Sequence, residues 1–496
     1  MSGLPRTLNP ILATQTFEGV AGRLATSILV TADDRGRFVP DLASVVPTLE
    51  NGGISRDGLT ITYHLRRNVR WHDGVPFTSR DVKFTFDAIL NPNNNVVSRH
   101  GYDVVRGVET PDDATVIFRL KKRFAPFVST VFGESDSPYG VLPAHLLAKY
   151  KSLNDVPYNS KPIGTGPFRV VEWRRGDRIE YAAFDGYFKG KPGLRKITVR
   201  LVPDENSEIT LLRTHEVDLM LEASVSAYKL LRTLPEIKVA LTPINGYEGV
   251  MMNVARGATS DVRVRRALSL ALDRTTLTKN LTSDSGAPAV ADQPRESWAF
   301  DPALPVPRYA PAEARALLAA AGYGPHGKKL SLGLYFDQTT AVNRSTSVQL
   351  QSALGALGVD VQLHPQLNTV LYAAYGAGGT LALGKYDLAM LPWFAGVDPD
   401  DSSQFTCAAR GADGFNWSRY CSPAMDAAQD AALADYPRPA RKRAYAAIQR
   451  LLIEDVPVAF LWWPRNVFPQ NPALHGFAPN EVNEAWNAWQ WSLEPQ

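Results

Sequence analysis

The segment Gly53–Leu90 constrains the fold more than any other part of the chain, because strand, turn and helix signals follow one another in it without a gap. Arg56-Asp57-Gly58 is a turn signal, and from Thr60 to Arg66 the residues alternate, with Ile61, Tyr63 and Leu65 on one face and Thr60, Thr62, His64 and Arg66 on the other. Period-two alternation of this kind describes a half-buried strand. His72-Asp73-Gly74 turns the chain again. Thr78, with Asp81 three residues on, has the spacing of a capping box and opens a helix on which Val82, Phe86 and Ile89 share a face.

Helix and strand patterns continue to alternate further along. A helix over Ala312–Ala321 precedes a strand over Lys329–Phe336, and a helix ending near Leu357 precedes a strand over Val359–Leu363. This is α/β organisation. A chain of 496 residues exceeds one ordinary core, so two or three lobes are expected. The 36 Pro and 36 Gly are scattered, which makes them turns rather than disorder. A formal net charge of +3, with basic clusters no longer than Lys121-Lys122-Arg123, argues against a nucleic-acid surface. No run reaches the roughly 18 apolar residues that would span a bilayer.

Catalytic and metal motifs find little support. Gly322–Lys328 reads GYGPHGK, but Lys329 stands where a phosphate-binding loop needs Ser or Thr, and the loop follows a helix and precedes a strand, the reverse of that motif's order. Gly164-Thr165-Gly166 lacks the third glycine of a dinucleotide site, and Pro167 has no N–H to give a pyrophosphate, so a tight turn is the better reading. The eight histidines show no paired metal spacing, and no G-x-S-x-G elbow is present. No cofactor or metal is expected, and the chain reads as a non-enzyme.

Taken whole, Gly53–Leu90 resembles the signature segment of the family 5 extracellular solute-binding proteins, the peptide- and nickel-type receptors of ABC importers. Further stretches are similar to that family in its order. They include Arg6–Pro10 (RTLNP), Phe38–Ala43 (FVPDLA), Pro162–Phe168 (PIGTGPF), Arg178–Tyr187, Glu216–Leu219, Asp261–Arg274, Pro311–Tyr323 and Asp455-Val456-Pro457. The resemblance implies a two-lobed periplasmic binding protein-like fold of type II, with a hinge between the lobes and an extra subdomain inserted in the first. Lobe 1 is expected over residues 1–252 and 466–496, with the insertion at about 36–158, and lobe 2 over 253–465. The two crossings are expected near Val250–Val254 and Pro464–Phe468.

The same resemblance supplies candidate ligand contacts. Tyr386–Gln404 aligns with the strand and loop that line the lobe 2 cleft, with Trp393 in place of the motif tryptophan; Phe394, Asp398 and Asp400 follow it. Thr16 and Phe17 follow the opening motif, Tyr247 precedes the first crossing, and Arg344 lies near the loop where dipeptide-binding members place an arginine. A core position is the alternative for Trp393, and Asp398 and Asp400 could cap a helix or face water as readily as contact ligand. The early aspartate that holds a peptide's amino terminus is missing from Phe394-Ala395-Gly396, and Asp337–Val342 contains no arginine. A simple dipeptide is therefore not the expected ligand; longer or modified peptides, opine-like conjugates and oligosaccharides stay open.

Cys407 and Cys421 fall where dipeptide-binding members have a short-range cysteine pair, so the resemblance implies a disulfide, two free thiols being the alternative. The implied partners are a small solute or peptide and the permease subunits of an ABC importer, with the receptor itself a monomer that meets the membrane only through the permease or a lipid anchor. Periplasmic or cell-surface residence follows, although Met1–Pro5 hold no export signal, so the start is expected to be trimmed or misassigned. An enzyme or chaperone-like protein reusing the same fold is the competing reading, because fold alone does not fix function.

Overall fold

The structure, a computed structural model, describes residues 5–14, 16–135, 137–412 and 414–494. The opening motif folds as its sequence suggests: the strand Thr60–His64 buries Ile61 and Tyr63 and pairs antiparallel with Thr115–Leu120, which pairs in turn with Val105–Asp112. The helix Ser79–Leu90 starts on the expected capping box, with the Thr78 N–H donating to the Asp81 carboxylate at 2.9 Å, and lays Val82, Phe86 and Ile89 against this sheet. Trp71, Tyr102, Phe118, Phe127 and Phe132 fill the core between them.

A second three-stranded antiparallel sheet, Phe168–Arg174, Arg178–Ala183 and Lys196–Arg200, follows. The turn that leads into it explains Gly164-Thr165-Gly166. A Cβ on Gly164 would lie 1.8 Å from the Ala25 carbonyl oxygen, and one on Gly166 would lie 2.6 Å from the Ala25 carbonyl carbon, so only glycine admits this close backbone approach. His72 locks the same turn: the Gly164 N–H donates to its Nδ1 at 3.2 Å while its Nε2 donates to the Gly166 carbonyl at 3.0 Å. Burial pulls the ring's pKa down to about 4, consistent with that neutral tautomer.

The later half of the chain is built on a six-stranded mixed sheet in the order 287–288, 458–463, 246–252, 388–394, 330–337, 359–366. Its central strands are apolar on both faces. Val250, Met252, Leu334, Met390 and Leu461 pack on one side; Tyr247, Met251, Leu391, Phe460 and Trp463 pack on the other. Val458–Trp463 is accordingly buried at every position.

The chain crosses between the two bodies twice, and the crossings run side by side. Lys238–Pro243 pairs antiparallel with Arg465–Gln470 on one side, and Gly246–Met252 pairs with Val458–Trp463 on the other. Ile244-Asn245 and Pro464 are the links. The strand Gly246–Met252 therefore lies inside the six-stranded sheet, with the link Ile244-Asn245 just before it and the expected crossing Val250–Val254 at its far end. GYEGVMM is buried on both faces, and such a strand has no alternation to separate it from an apolar linker.

Candidate functional site

Among the described residues, a pocket of about 480 Å³ along Ser44 and His64–Asn68 is the most open to solvent, and two others of about 400 Å³ are more enclosed, so volume does not choose between these two. One lies within the first body, between the strand Lys196–Arg200 and the helix Glu205–Arg213, and most of its lining is aliphatic. The other is bounded by both bodies. Gly19, Val20 and Arg23 of the helix Thr16–Arg23, together with Val97, Tyr139, Glu222 and the segment Glu481–Glu484, form one wall; Phe394 and Ala395 of the opposite body form the other, with Ile244 and Asn466 beside the crossings. A site between two bodies joined by paired links is the place where a solute can hold them together.

The bodies already touch around this cavity. The Val397 N–H donates to the Glu134 carbonyl at 3.1 Å, and on the far side the Ala125 N–H donates to the Leu433 carbonyl at 2.6 Å. The Tyr436 hydroxyl donates to the Gly58 carbonyl at 2.9 Å, and His100 Nε2 meets Asp400 Oδ2 at 3.2 Å. At the link itself, the Asn245 side chain donates to the Gly396 carbonyl at 2.7 Å. Gly396 is seated so closely that a Cβ would meet Ser135 Cα at 2.6 Å.

The residues singled out from sequence are distributed unevenly about this space. Phe394, 48% exposed, lines the cavity. Its neighbour Trp393 faces the other side of the strand, half-buried, with its ring 6.0 Å from Phe415; its Nε1–H is buried without a hydrogen-bond partner. Phe17 is half-buried on the helix that faces the cavity, but Gly19, Val20 and Arg23 are its lining residues there. The side chain of Thr16 lies outside the described residues.

The other four have their partners outside this cavity's lining. Tyr247 is 1% exposed in the core, donating its hydroxyl to Gln404 at 2.6 Å and meeting Phe460 edge-on. Asp398 is buried in a bidentate pair with Arg441, at 2.6 and 2.7 Å, so its charge is already satisfied. Asp400 accepts from the Ser402 N–H at 3.0 Å and from His100; although burial alone would raise its pKa, these partners hold it below the usual carboxylate range. Arg344 is exposed at the start of the helix Ala341–Gly355 and donates to the Gln338 carbonyl, away from the cavity. Cys407 and Cys421 form a disulfide, with Cα atoms 4.6 Å apart.

Sequence reasoning missed the acidic wall. Glu484 is 5% exposed and its Oε2 has no partner; burial first, then the nearby Glu222 and Glu134, push its pKa up to about 8. Glu481 is likewise pushed up to about 8 by burial and by Glu296. Glu134, at the back of the wall, is 0% exposed and pairs through Oε1 with Arg23 at 2.8 Å and with the Thr31 hydroxyl. The signal was the pair of glutamates in EVNEAW, but they lie in a loop without periodicity, and only the long return of the chain after Pro464 brings them to the cavity.

Among the described residues no group of three or more His, Cys, Asp or Glu side chains is arranged to hold a metal ion. A two-lobed α/β body with paired crossings and a solute-sized space between the lobes has the architecture of a solute-binding protein. The chain matches bacterial extracellular solute-binding proteins, family 5 Middle, over residues 23–415, and it belongs to that family. It is similar to the oligopeptide-binding protein AppA of Bacillus subtilis, at 25% identity over 505 residues covering 99% of this chain and 90% of the relative. It is also similar to the glutathione-binding protein GsiB of Pectobacterium atrosepticum, at 30% identity over 444 residues covering 89% of this chain and 84% of the relative. The solved structure of NikZ from Campylobacter jejuni in complex with Ni(L-His) matches with a TM-score of 0.82 at 26% identity, covering 99% of this chain and 98% of that one.

Proposed function

We propose that this protein is the receptor of an ABC importer, which closes its lobes on a compact peptide or peptide-like solute and hands it unchanged to the membrane permease. The observation that carries this reading is the cavity of about 400 Å³ with Phe394 and Ala395 on one side and Val20, Tyr139 and Glu484 on the other. Its volume falls in the range of roughly 300–1,000 Å³ usual for small-molecule sites. An extended nonapeptide, by contrast, would span about 30 Å. Relatives named for oligopeptides and for glutathione support a peptide-type solute. We assign Phe394 as the apolar wall of lobe 2, with Trp393 packed on the opposite face of the same strand as its support.

The strand pairing favours a division into lobe 1 at 5–244 and 465–494 and lobe 2 at 245–464, with the inserted subdomain near 36–158. The protein acts as a monomer outside the cytoplasmic membrane; among the described residues no helix is long and apolar enough to cross a membrane. A receptor returns its solute chemically intact, whereas an enzyme on the same fold does not. Mass spectrometry of the solute before loading and after release by denaturation should show one unchanged mass, and a new product mass that accumulates with protein would contradict the receptor reading.

A further inference from the structure

The wall that lobe 1 presents to the cavity carries more negative than positive groups. Glu222, Glu481 and Glu484 line it, Glu134 lies directly behind, and Arg23 is the cation that faces them, already committed through one guanidinium nitrogen to Glu134. Glu296 stands near Glu481 and is itself paired with Arg465.

Acidic residues alone would mean little, since a solvated acidic rim is common on a protein surface. Here the side chains at the back are buried and have hydrogen-bonding groups left over. Glu484 Oε2, Asn483 Nδ2 and Arg23 Nη1 all lack partners, on residues only 5%, 3% and 8% exposed. Buried polar groups are ordinarily paired, because leaving one unmade costs its full desolvation. These groups belong to residues that line one cavity, with the unpartnered Glu134 Oε2 behind them, and they mark where a solute can supply the missing bonds. The acceptor is the carboxylate, and the donors are the amide and the guanidinium.

We propose that the solute carries a cationic group, an ammonium or guanidinium, which Glu484 holds with Glu222 and Glu481 around it, while Asn483 and Arg23 donate to a carbonyl or carboxylate on the same molecule. The apolar part of the solute lies against Phe394, Val97 and Tyr139, which complete the lining. This deepens the receptor reading and rests on it. Burial and the neighbouring acids drive Glu484 toward its neutral form, and a cation bound there draws it back to the carboxylate, so binding releases a proton and tightens as pH rises.

The test loads the full chain with a low-molecular-mass filtrate of yeast extract, which offers peptides, amines and sugars together. Retained solutes are then identified by mass spectrometry after denaturation. The expected result is a dominant retained solute with an ammonium or guanidinium beyond any paired carboxylate. Its retention should fall about tenfold in Glu484→Gln and rise between pH about 6.5 and about 8.5 in the unaltered protein. Phe394→Ala separates the two levels of inference, since it should weaken retention of any solute regardless of charge. Retained solutes that are neutral or anionic, or a Glu484→Gln variant that keeps the cation undiminished, overturn the cationic assignment and leave the receptor standing. Retention of no solute at all overturns both.

Discussion

Asp398, a candidate ligand contact by its place in the sequence, is held in a buried pair with Arg441. Arg441 is 6% exposed and Asp398 9%, and burial works against the guanidinium's charge, but Asp398 and Tyr445 raise its pKa overall. Removing one partner of a buried pair leaves the other charge uncompensated, typically at a cost of about 3–5 kcal/mol. Arg441→Met should therefore destabilise the protein by that amount in denaturant melts, whereas the double change Arg441→Met with Asp398→Asn should recover much of the loss. Equal losses in both variants would mean that packing, not charge, dominates. Glu481 and Glu484 lead to a pH prediction. Their pKa values rise from 4.5 to about 8 on folding, so between those limits the folded protein holds protons that the unfolded chain has released. Stability from these two groups is then highest at low pH and is lost as pH rises toward about 8. Thermal melts at pH about 6 and about 9 should show the drop, and it should shrink in the double variant Glu481→Gln, Glu484→Gln; an undiminished drop would assign the effect to other groups. The sequence directed attention to aromatic and acidic residues around 393–400, and of these only Phe394 lines the cavity. Neither Arg441, forty-odd positions downstream of Asp398, nor the glutamates at 481 and 484 announce their partners locally, because charge pairing and burial depend on contacts distant in sequence.

At the scale of elements, the stretches whose shape follows from local rules were legible. The strand at 60–64, the capped helix at 79–90, the helix Pro311–Ala320 and the strand Leu330–Asp337 appear within a residue or two of their sequence readings, the usual uncertainty of frayed ends. Gly246–Met252 was not legible as a central strand, because whether an apolar run is a central strand or a linker depends on its neighbours. Gly396 connects the element scale to the working of the molecule. Its backbone packs on Glu134 and Ser135 of the opposite lobe, and an added Cβ would sit 2.8 Å from the Glu134 carbonyl oxygen as well as 2.6 Å from Ser135 Cα. These are main-chain atoms with little freedom to move aside. Gly396→Ala should leave each lobe folded but prevent this seating, so calorimetric titration with the retained solute should show at least about a tenfold loss of affinity. Unchanged affinity would show that the Gly396 contact does not contribute to closure.

At the scale of the whole molecule, the two lobes meet along contacts that include a few backbone hydrogen bonds, the Tyr436 hydroxyl, the part-exposed pair Arg465–Glu296, and the exposed His100 with the largely buried Asp400. Exposed ion pairs contribute at most about 1 kcal/mol each. Such a rim can be opened, and a solute that bonds to both walls shifts the balance toward the closed arrangement by its own binding free energy. The paired links at Ile244-Asn245 and Pro464 are the place where the proposed closure would have its axis. The central claim is thus that solute binding and lobe closure are one event, and small-angle X-ray scattering of the full chain, with and without saturating amounts of the retained solute, tests it most directly. A smaller radius of gyration with solute, confined to the unaltered protein and absent in Gly396→Ala, is the expected result. An unchanged scattering profile in a sample whose saturation is verified by calorimetry would contradict it.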